Sequence, residues 1–307
     1  MTAVVAATTA TPRVVDDIGS VDHACAVPVS DEQLWETTAA WVAVGLARGE
    51  RVLYFEDGTA HAVLDRLRDD RVPVRDALAA GQLTIVPAEH TRAALRSPVE
   101  QVEEMLVAEI DGAAADGWAG VRISSQASYA LQRPGGVDLS EYERGLERVL
   151  EARPGARALC LYDHRRFPEP DIARMRGMHH TELLGRAVYD DTLLRITATG
   201  PASARLAGEV DHSNRLRIRT LLERALDDAL RSHSATTDIV LDLSSLRFVD
   251  VAGAVSLVHA AEEFPSSHRL VLEGVRPRVQ RLLDRCGAPF APQLVVRGRE
   301  GPAGRHR

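Results

Sequence analysis

The chain has 307 residues, of which 45% are hydrophobic and 26% are charged, and its net charge is −7. This length predicts about two domains, and the composition is that of an ordinary globular protein. The negative net charge argues against a binder of duplex nucleic acid, because such proteins normally carry a basic surface.

The three cysteines are Cys25, Cys160 and Cys286. Their odd number and wide spacing do not predict a disulfide framework and favour a reducing compartment. The N-terminal residues lack the basic and apolar regions of a signal peptide, and no stretch approaches the ~20 apolar residues of a membrane helix. We therefore expect a cytoplasmic protein that binds neither nucleic acid nor membranes.

The first 180 residues divide into a disordered leader over residues 1–19 and a domain over residues 20–180. Within that domain, apolar runs alternate with segments of helical periodicity. The runs predict strands at residues 52–55, 83–86, 120–124 and 158–162. Because these strands are apolar throughout and helices separate them, we expect a parallel sheet that is covered on both faces.

The pattern changes around residue 190, and residues 181–192 are predicted to be a linker. Residues 193–292 predict a second domain with the order β-β-α-β-α-β-α. Its first two strands flank the turn at Gly200-Pro201, and a long helix with one apolar stripe follows over residues 214–232. The Gly- and Arg-rich end, residues 293–307, is predicted to be a flexible tail.

The second domain carries three motifs in sequence. Residues 242–253 have the sequence DLSSLRFVDVAG, residues 205–211 have RLAGEVD, and residues 272–277 have LEGVRP. Together they resemble the STAS domains of anti-sigma factor antagonists, whose signature is roughly D-L-S-x-L-x-F-x-D-S-S-G. The resemblance implies docking on an anti-sigma factor of the serine-kinase type, which phosphorylates the serine before the glycine and thereby ends the docking.

At the two hydroxyl positions of that signature, this chain has Val251 and Ala252. Neither residue can accept phosphate, so the module should stay in an unphosphorylated-like state at this site. The resemblance assigns partner binding to Asp211, His212, Ser213, Asp250, Val251, Ala252 and Gly253. Asp250 is either the N-cap of the following helix or a partner contact, and Asp211 or Ser213 either caps the preceding helix or faces the kinase.

The first domain carries the segments HAC at residues 23–25, GLARGERVLYF at 45–55 and LCLYDHRRFP at 159–168. These segments resemble the MEDS domain, a sensory module related to RecA-type and clock-type ATPases. The implied fold class is α/β throughout: an N-terminal RecA/clock-ATPase-like parallel-sheet sandwich without a P-loop, and a C-terminal STAS α/β domain. The implied role of the first domain is to sense a small molecule.

The chain has no G-x-x-x-x-G-K-[ST] segment, which a P-loop needs in order to hold phosphates. Gly45 and Gly49 are not followed by a lysine, and Glu50 would repel phosphate. Asp163 occupies a position like that of a Walker-B acid, but a salt bridge to Arg165 or Arg166 explains it as well. We therefore expect no enzymatic activity.

Polar residues gather at predicted strand ends, where open α/β sheets bind ligands. A small-molecule site there would draw on His23, Glu50, Glu56, Gln126, Tyr162, Asp163, Arg165 and Arg166. The same residues would also serve as hydrogen-bonded strand ends. His23 and Cys25 alone do not make a metal site, which needs three or four ligands, so they are interpreted as a loop histidine and a buried cysteine, and His179-His180 as a solvated pair. We expect no metal and no cofactor.

These observations predict a bacterial partner-switching regulator of sigma factors in the stress response, which binds an anti-sigma factor through its STAS domain. Two alternatives stay open. One is a degenerate nucleotide-binding enzyme, and the other is a stressosome-like scaffold whose first domain only forms homo-oligomers.

Overall fold

The computed structural model describes residues 11–14, 22–127, 138–184, 187–200, 202–231 and 238–299. The chain divides into two compact units, Met1–Gly185 and Arg186–Arg307. No helix among the described residues is long and apolar enough to cross a membrane.

The first unit is a parallel sheet with helices on both faces, as the sequence predicts. Its described strands are β1 (Thr11–Val14), β2 (His23–Ala26), β3 (Arg51–Phe55), β4 (Leu83–Val86), β5 (Val121–Gln126), β6 (Ala156–Leu161) and β7 (Thr181–Leu184). Its helices are α1 (Asp31–Ala47), α2 (Ala60–Asp69), α3 (Val74–Ala79), α4 (Ala88–Ala94), α5 (Val99–Ala115), α6 (Leu139–Glu151) and α7 (Glu169–Arg176). The strand order is β1-β7-β2-β6-β5-β3-β4, and every pairing is parallel.

Successive residues of β3 show how the two faces are filled. Val52 and Tyr54 pack with residues of α1, α2 and α3 on one face, whereas Leu53 and Phe55 pack with α5 and α6 on the other. A strand that is buried on both faces has no polar side to alternate with, which explains why these strands are apolar throughout.

In its described residues, the second unit is a mixed sheet with three α-helices and one short 3-10 helix. Its elements are β8 (Ala187–Asp190), β9 (Leu194–Gly200), β10 (Ser203–Val210), α8 (Arg215–Arg231), β11 (Asp238–Asp242), β12 (Leu246–Val249), α9 (Val251–Glu262), β13 (Arg269–Val275), α10 (Pro277–Arg285), a short 3-10 helix (Ala288–Phe290) and β14 (Leu294–Gly298). The strand order is β14-β13-β11-β10-β9-β8, and β12 also pairs with β10. β8, β9 and β10 are antiparallel neighbours, and the other pairs are parallel.

Five strands lie where the sequence predicts irregular chain. β1 falls within the predicted leader, β7 and β8 within the predicted linker, β12 in a predicted turn, and β14 within the predicted tail. Each of them pairs with a neighbouring strand, and this pairing satisfies backbone groups that short local patterns do not reveal. The rest of the predicted leader, and the tail from residue 300 onward, lie outside the described residues.

Candidate functional site

Glu56, directly after β3, lies at the carboxyl edge of the first sheet and holds the loops there. Its Oε2 accepts hydrogen bonds from the backbone N–H groups of Gly58 (2.6 Å), Thr59 (2.8 Å) and Ala60 (3.2 Å). Its Oε1 accepts a further one from Ala88 (3.0 Å). The carboxylate therefore caps the start of α2 and ties it to the start of α4.

Gln126, at the end of β5, meets the same loop. Its Nε2 donates a hydrogen bond to the hydroxyl of Tyr54 (2.9 Å) and another to Thr59. The Tyr54 hydroxyl also bonds to Thr59, and burial raises the pKa of Tyr54. Thr59 thus joins the regions of Glu56 and Gln126, and both side chains are engaged by the protein itself.

Asp163, after β6, forms the salt bridge that the sequence allowed as an alternative to a metal role. Arg165 donates to the two oxygens of Asp163 from Nε (2.9 Å) and Nη2 (2.8 Å). Arg166 lies farther away, with Nε 3.7 Å from the carboxylate. Arg165 also bonds to Asp31 at 2.6 Å, and the hydrogen bonds to Asp163 raise the pKa of its guanidinium.

The helices that begin at this edge already carry carboxylates at their N-termini. α1 has Asp31 and Glu32 in its first turn, α2 is capped by Glu56, and α7 has Glu169 and Asp171. A helix N-terminus attracts an anion through its free N–H groups and its dipole. Here Glu56 takes that place at α2, and the carboxylates in the first turns of α1 and α7 add negative charge, which is unfavourable for a bound phosphate.

Glu50, grouped with the ligand residues in the sequence interpretation, lies elsewhere. It precedes β3, so it is about 20 Å from Glu56 along the strand, at the amino edge of the sheet. There it is buried and forms ion pairs with Arg122 (2.6 Å) and Arg157 (3.2 Å). The guanidinium of Arg122 in turn stacks over the ring of Trp41 at 4.3 Å. The structure therefore places Glu50 in a buried charge cluster, away from the other predicted ligand residues.

The side chains of His23 and Tyr162 do not join the residues at the carboxyl edge either. They lie in the layer between the sheet and α6. The carboxylate of Glu143, on α6, is the centre of this region. Its Oε2 lies 3.3 Å from Nε2 of His23, 3.3 Å from Sγ of Cys160 and 3.3 Å from Nε2 of His179. Tyr162 donates its hydroxyl proton to the other oxygen, Oε1.

The outer nitrogens of the two histidines are held as well. Nδ1 of His23 bonds to Glu147, and Nδ1 of His179 donates to the carbonyl of Met175 at 2.7 Å. His23 is buried on β2, so its interpretation as a loop residue is wrong. His179 is buried and only His180 is exposed, so the solvated pair is wrong for His179, which the turn after α7 folds inward.

Charges within the cluster compensate one another. Burial raises the pKa of Glu143, but the close ring nitrogens of His179 and His23, each 3.3 Å away, outweigh this and lower it well below its usual value. Burial lowers the pKa of His23, yet Glu143 and Glu147 raise it to about 9. Burial also raises the pKa of the Cys160 thiol. Glu143 and His23 therefore stabilise each other's charged forms, and burial favours the neutral form of the Cys160 thiol.

An apolar cavity of about 80 Å³ adjoins this cluster. Its wall includes Phe55 and Ser125, near the carboxyl ends of β3 and β5, together with Val102 of α5. Glu143 and Cys160 also line it. The cavity lies beneath the strand ends, where open α/β sheets bind ligands, and its wall is suited to a small apolar molecule.

In the second unit, the start of α9 is built by Asp250 and Gly253. Asp250 accepts a hydrogen bond from the Gly253 N–H at 2.6 Å, which is the expected N-cap. A Cβ atom on Gly253 would lie 2.9 Å from Val249 and 3.0 Å from Val210. Gly253 therefore lets α9 pack against the sheet and is buried, unlike the partner-contacting residue that the family resemblance implies.

The surface around this helix end is apolar with a polar margin. Leu216 is 69% exposed, Val251 62% and Phe248 49%. Nη1 of Arg215, at the start of α8, lies 3.8 Å from Asp250 at the start of α9. His212 and Ser213, in the turn before α8, are exposed, and Ala252 is partly exposed. Asp211 accepts a hydrogen bond from the Ser213 N–H at 2.8 Å, so it stabilises the turn before α8.

The predicted ligand residues of the first unit thus fall in three places: the carboxyl edge of the sheet, the amino edge and the interior cluster. The interior cluster also contains three residues that the sequence interpretation missed as site residues: Glu143, Cys160 and His179. Glu143 had a detectable signal, because it lies on the apolar stripe of α6, where an unpaired charge would be costly. The other two had none, since they join the cluster only through the fold.

Comparisons with known proteins agree with the division into two units. Residues 22–180 match a family model described as "MEDS: MEthanogen/methylotroph, DcmR Sensory domain", and residues 196–294 match the STAS domain. No curated protein matches the chain. Among solved structures, the flagellar accessory protein FlaH from Methanocaldococcus jannaschii is similar at 12% identity and a TM-score of 0.40, over 61% of this chain and 77% of that one.

Proposed function

Because the chain belongs to the MEDS family and carries a STAS domain after the MEDS domain, we propose that it is a regulator of the anti-sigma factor antagonist type. Its STAS domain binds an anti-sigma factor of the serine-kinase type. Its MEDS domain, a sensory domain, binds a small molecule. The protein acts by binding and not by catalysis.

The observation that carries the partner-binding part is the surface at the start of α9. Leu216, Phe248 and Val251 expose apolar side chains there, and His212 with Ser213 provides a polar margin. Protein interfaces commonly combine an apolar centre with a polar rim. The same helix end is where the STAS resemblance places the docking surface.

With Val251 and Ala252, this surface lacks the serine whose phosphorylation ends docking in the STAS domains that the chain resembles. Phosphorylation would add about −1.5 to −2 charges, but neither side chain has a hydroxyl. The partner-bound state is then controlled by something other than phosphate at this helix end. The sensory domain is the natural source of that control.

For the sensory domain, the cavity and the sheet edge support a small apolar ligand over a nucleotide. The helix N-termini at the edge carry carboxylates of the protein, which disfavours the phosphates needed by a degenerate nucleotide-binding enzyme. A cavity of about 80 Å³ is smaller than the ~150 Å³ that holds benzene in an engineered protein. The ligand is therefore a molecule of few heavy atoms, such as a short hydrocarbon derivative.

Partner binding is tested with the full chain and the serine-kinase anti-sigma factors of its own genome, by isothermal titration calorimetry. Val251→Asp should weaken the complex at least about tenfold, or ~1.4 kcal/mol, because the new carboxylate must be desolvated. Phe290→Asp is the matched control, since Phe290 is an exposed apolar residue on the 3-10 helix, 86% exposed. Equal effects of the two variants, or no binding by any such kinase, would refute the proposal.

Ligand sensing is tested by screening short alcohols and halogenated hydrocarbons for an increase in the melting temperature. A hundredfold excess over the dissociation constant stabilises the folded state by about 2.7 kcal/mol. Val102→Phe should fill the cavity and abolish the increase. An increase that persists in Val102→Phe would place the ligand elsewhere, and a purely oligomerising first domain would give no increase with any compound.

A further inference from the structure

We propose that His23, Glu143, Cys160 and His179 form a Zn²⁺ site inside the N-terminal domain. This inference goes beyond the partner binding and the apolar ligand proposed above. The four residues come from β2, α6, β6 and the turn after α7, and all four are buried. Each offers one donor atom, and the four donor atoms lie within 4.8 Å of one another.

Four of the six separations between donors are close to those of a tetrahedral zinc site, and the other two are within 4.8 Å. Zinc bonds of about 2.1 Å in tetrahedral geometry put neighbouring donors about 3.4 Å apart. Oε2 of Glu143 lies 3.3 Å from the donor atoms of His23, Cys160 and His179. Sγ of Cys160 lies 3.7 Å from Nε2 of His23. Small side-chain movements would therefore be enough to admit the ion.

The histidines are oriented as zinc ligands usually are. A ligating histidine commonly donates its second ring N–H to a carboxylate or a backbone carbonyl, which fixes the ring and directs the other nitrogen to the metal. Here His179 donates Nδ1–H to the carbonyl of Met175, and Nδ1 of His23 bonds to Glu147. Tyr162 holds the second oxygen of Glu143 in the same way.

One atom distinguishes a metal site from a simple cluster of paired charges. Nε2 of His179 is buried and has no hydrogen-bond partner among the residues that the structure describes. Its 3.3 Å approach to Glu143 does not have hydrogen-bond geometry. A buried polar atom without a partner is costly, and a metal ion would satisfy this one together with the other three donors.

The donor set selects zinc over other common ions. Two imidazoles, one thiolate and one carboxylate suit this borderline-soft ion, whereas Ca²⁺ and Mg²⁺ require oxygen ligands. Four protein ligands complete a tetrahedral shell and leave no open position. The site therefore fits a structural or sensory ion and not a hydrolytic one.

The first experiment measures zinc in the full chain after removal of any purification tag. Protein from zinc-supplemented cells is analysed by inductively coupled plasma mass spectrometry, and chelator-treated protein is then titrated with Zn²⁺ against a chromophoric competitor. We expect one tightly bound zinc per chain. A folded protein that carries only background zinc and does not compete with the chelator would overturn the proposal.

The second experiment uses a matched pair of cysteines. Cys25 and Cys160 face each other in register on β2 and β6 and both are buried, but only Cys160 belongs to the cluster. Cys160→Ser should lower the Zn²⁺ affinity by more than about 100-fold, because losing only a group that hydrogen-bonds to a metal ligand already costs about 10–100-fold. Cys25→Ser should bind as the wild type does, and circular dichroism verifies that both variants fold.

His179→Gln and Co²⁺ complete the test. His179→Gln should lose affinity as Cys160→Ser does, and Glu147→Gln should lose about 10–100-fold. With Co²⁺, the wild type and Cys25→Ser should show thiolate-to-metal charge-transfer absorption that Cys160→Ser lacks. Equal metal binding by all variants would show adventitious surface binding and overturn the site. Because no readout involves the anti-sigma factor, a negative result leaves the proposed function untouched.

Discussion

In the N-terminal domain the chemically distinctive side chains are buried, whereas in the C-terminal domain they are exposed. Glu143, Cys160 and His179 converge inside the protein from separate elements. Phe248 and Val251 lie on the surface, within one continuous segment of the chain. An interior of converging donors suits an ion or a small molecule, while an exposed apolar segment suits another protein. Changes in the first region should therefore cost stability, and changes in the second should cost binding.

The largest change in free energy should come from Glu56→Ala, which tests whether the N-terminal side chains support the fold. Glu56 accepts four backbone hydrogen bonds, and its loss should destabilise the N-terminal domain by about 2–4 kcal/mol, since bonds to charged groups contribute about 1.5–3 kcal/mol each and are not additive. Urea unfolding followed by tryptophan fluorescence measures this, because Trp35, Trp41 and Trp118 all belong to the first domain.

Glu56→Gln is the control, since it keeps one oxygen acceptor and should lose less stability. If Glu56→Ala costs under about 1 kcal/mol, the polar groups of the sheet edge are not supports of the fold, and the contrast between the two domains weakens.

The next largest effect should be the stabilisation of the N-terminal domain by Zn²⁺, measured on the same urea-unfolding transition. At a hundredfold excess over its dissociation constant, the ion should stabilise the N-terminal domain by about 2.7 kcal/mol. The shift should appear in tryptophan fluorescence and should be absent from Cys160→Ser. A shift of equal size in Cys160→Ser would mean that the interior donors do not hold the ion.

A smaller effect is expected from Ala252→Asp on the exposed surface. The affinity for a confirmed anti-sigma factor should fall about tenfold, or ~1.4 kcal/mol, since the carboxylate must be desolvated at the interface. Stability should change little, because an acidic residue at a helix N-terminus is favourable by about 0.3–1 kcal/mol. Calorimetric titration and circular dichroism separate the two. A large loss of stability with unchanged affinity would reverse the comparison.

The smallest effect should be that of ATP on the wild-type complex. Without a hydroxyl at residues 251 and 252, ATP should leave the affinity for a serine-kinase partner unchanged. Ala252→Ser restores an acceptor and should make the complex dissociate on addition of ATP, with phosphate on residue 252 by mass spectrometry. Phosphate on Ser213, Ser244 or Ser256 of the wild type, with release of the partner, would show that the switch has moved.

The sequence was sufficient for most of the fold because the larger elements carry strong local patterns. The apolar runs of β3 and β6 and the single stripe of α8 identify those elements directly. β12 and β14 were missed because each depends on pairing with a distant strand, β10 and β13 respectively. In β14, the glycine and arginine content of the chain end concealed the valines at 295 and 296.

The sequence was less informative about the sites, for a physical reason. Asp250 was predicted as an N-cap from its neighbours, and the structure confirms it. The salt bridge of Asp163 with Arg165 is equally local, two residues apart. His23, by contrast, meets Glu143 and Cys160 across more than a hundred residues of chain, and only the packing of α6 on the sheet brings them together.

The charge cluster at the amino edge has a consequence for how the first sheet assembles. Strands that are apolar on both faces carry little information about alignment, because a slip by one residue still buries apolar side chains. Glu50 lies at the start of β3 and contacts Arg122 on β5 and Arg157 on β6. A slip of either strand would turn its arginine to the opposite face and leave a buried charge unpaired. This one carboxylate thus selects a single alignment of three neighbouring strands.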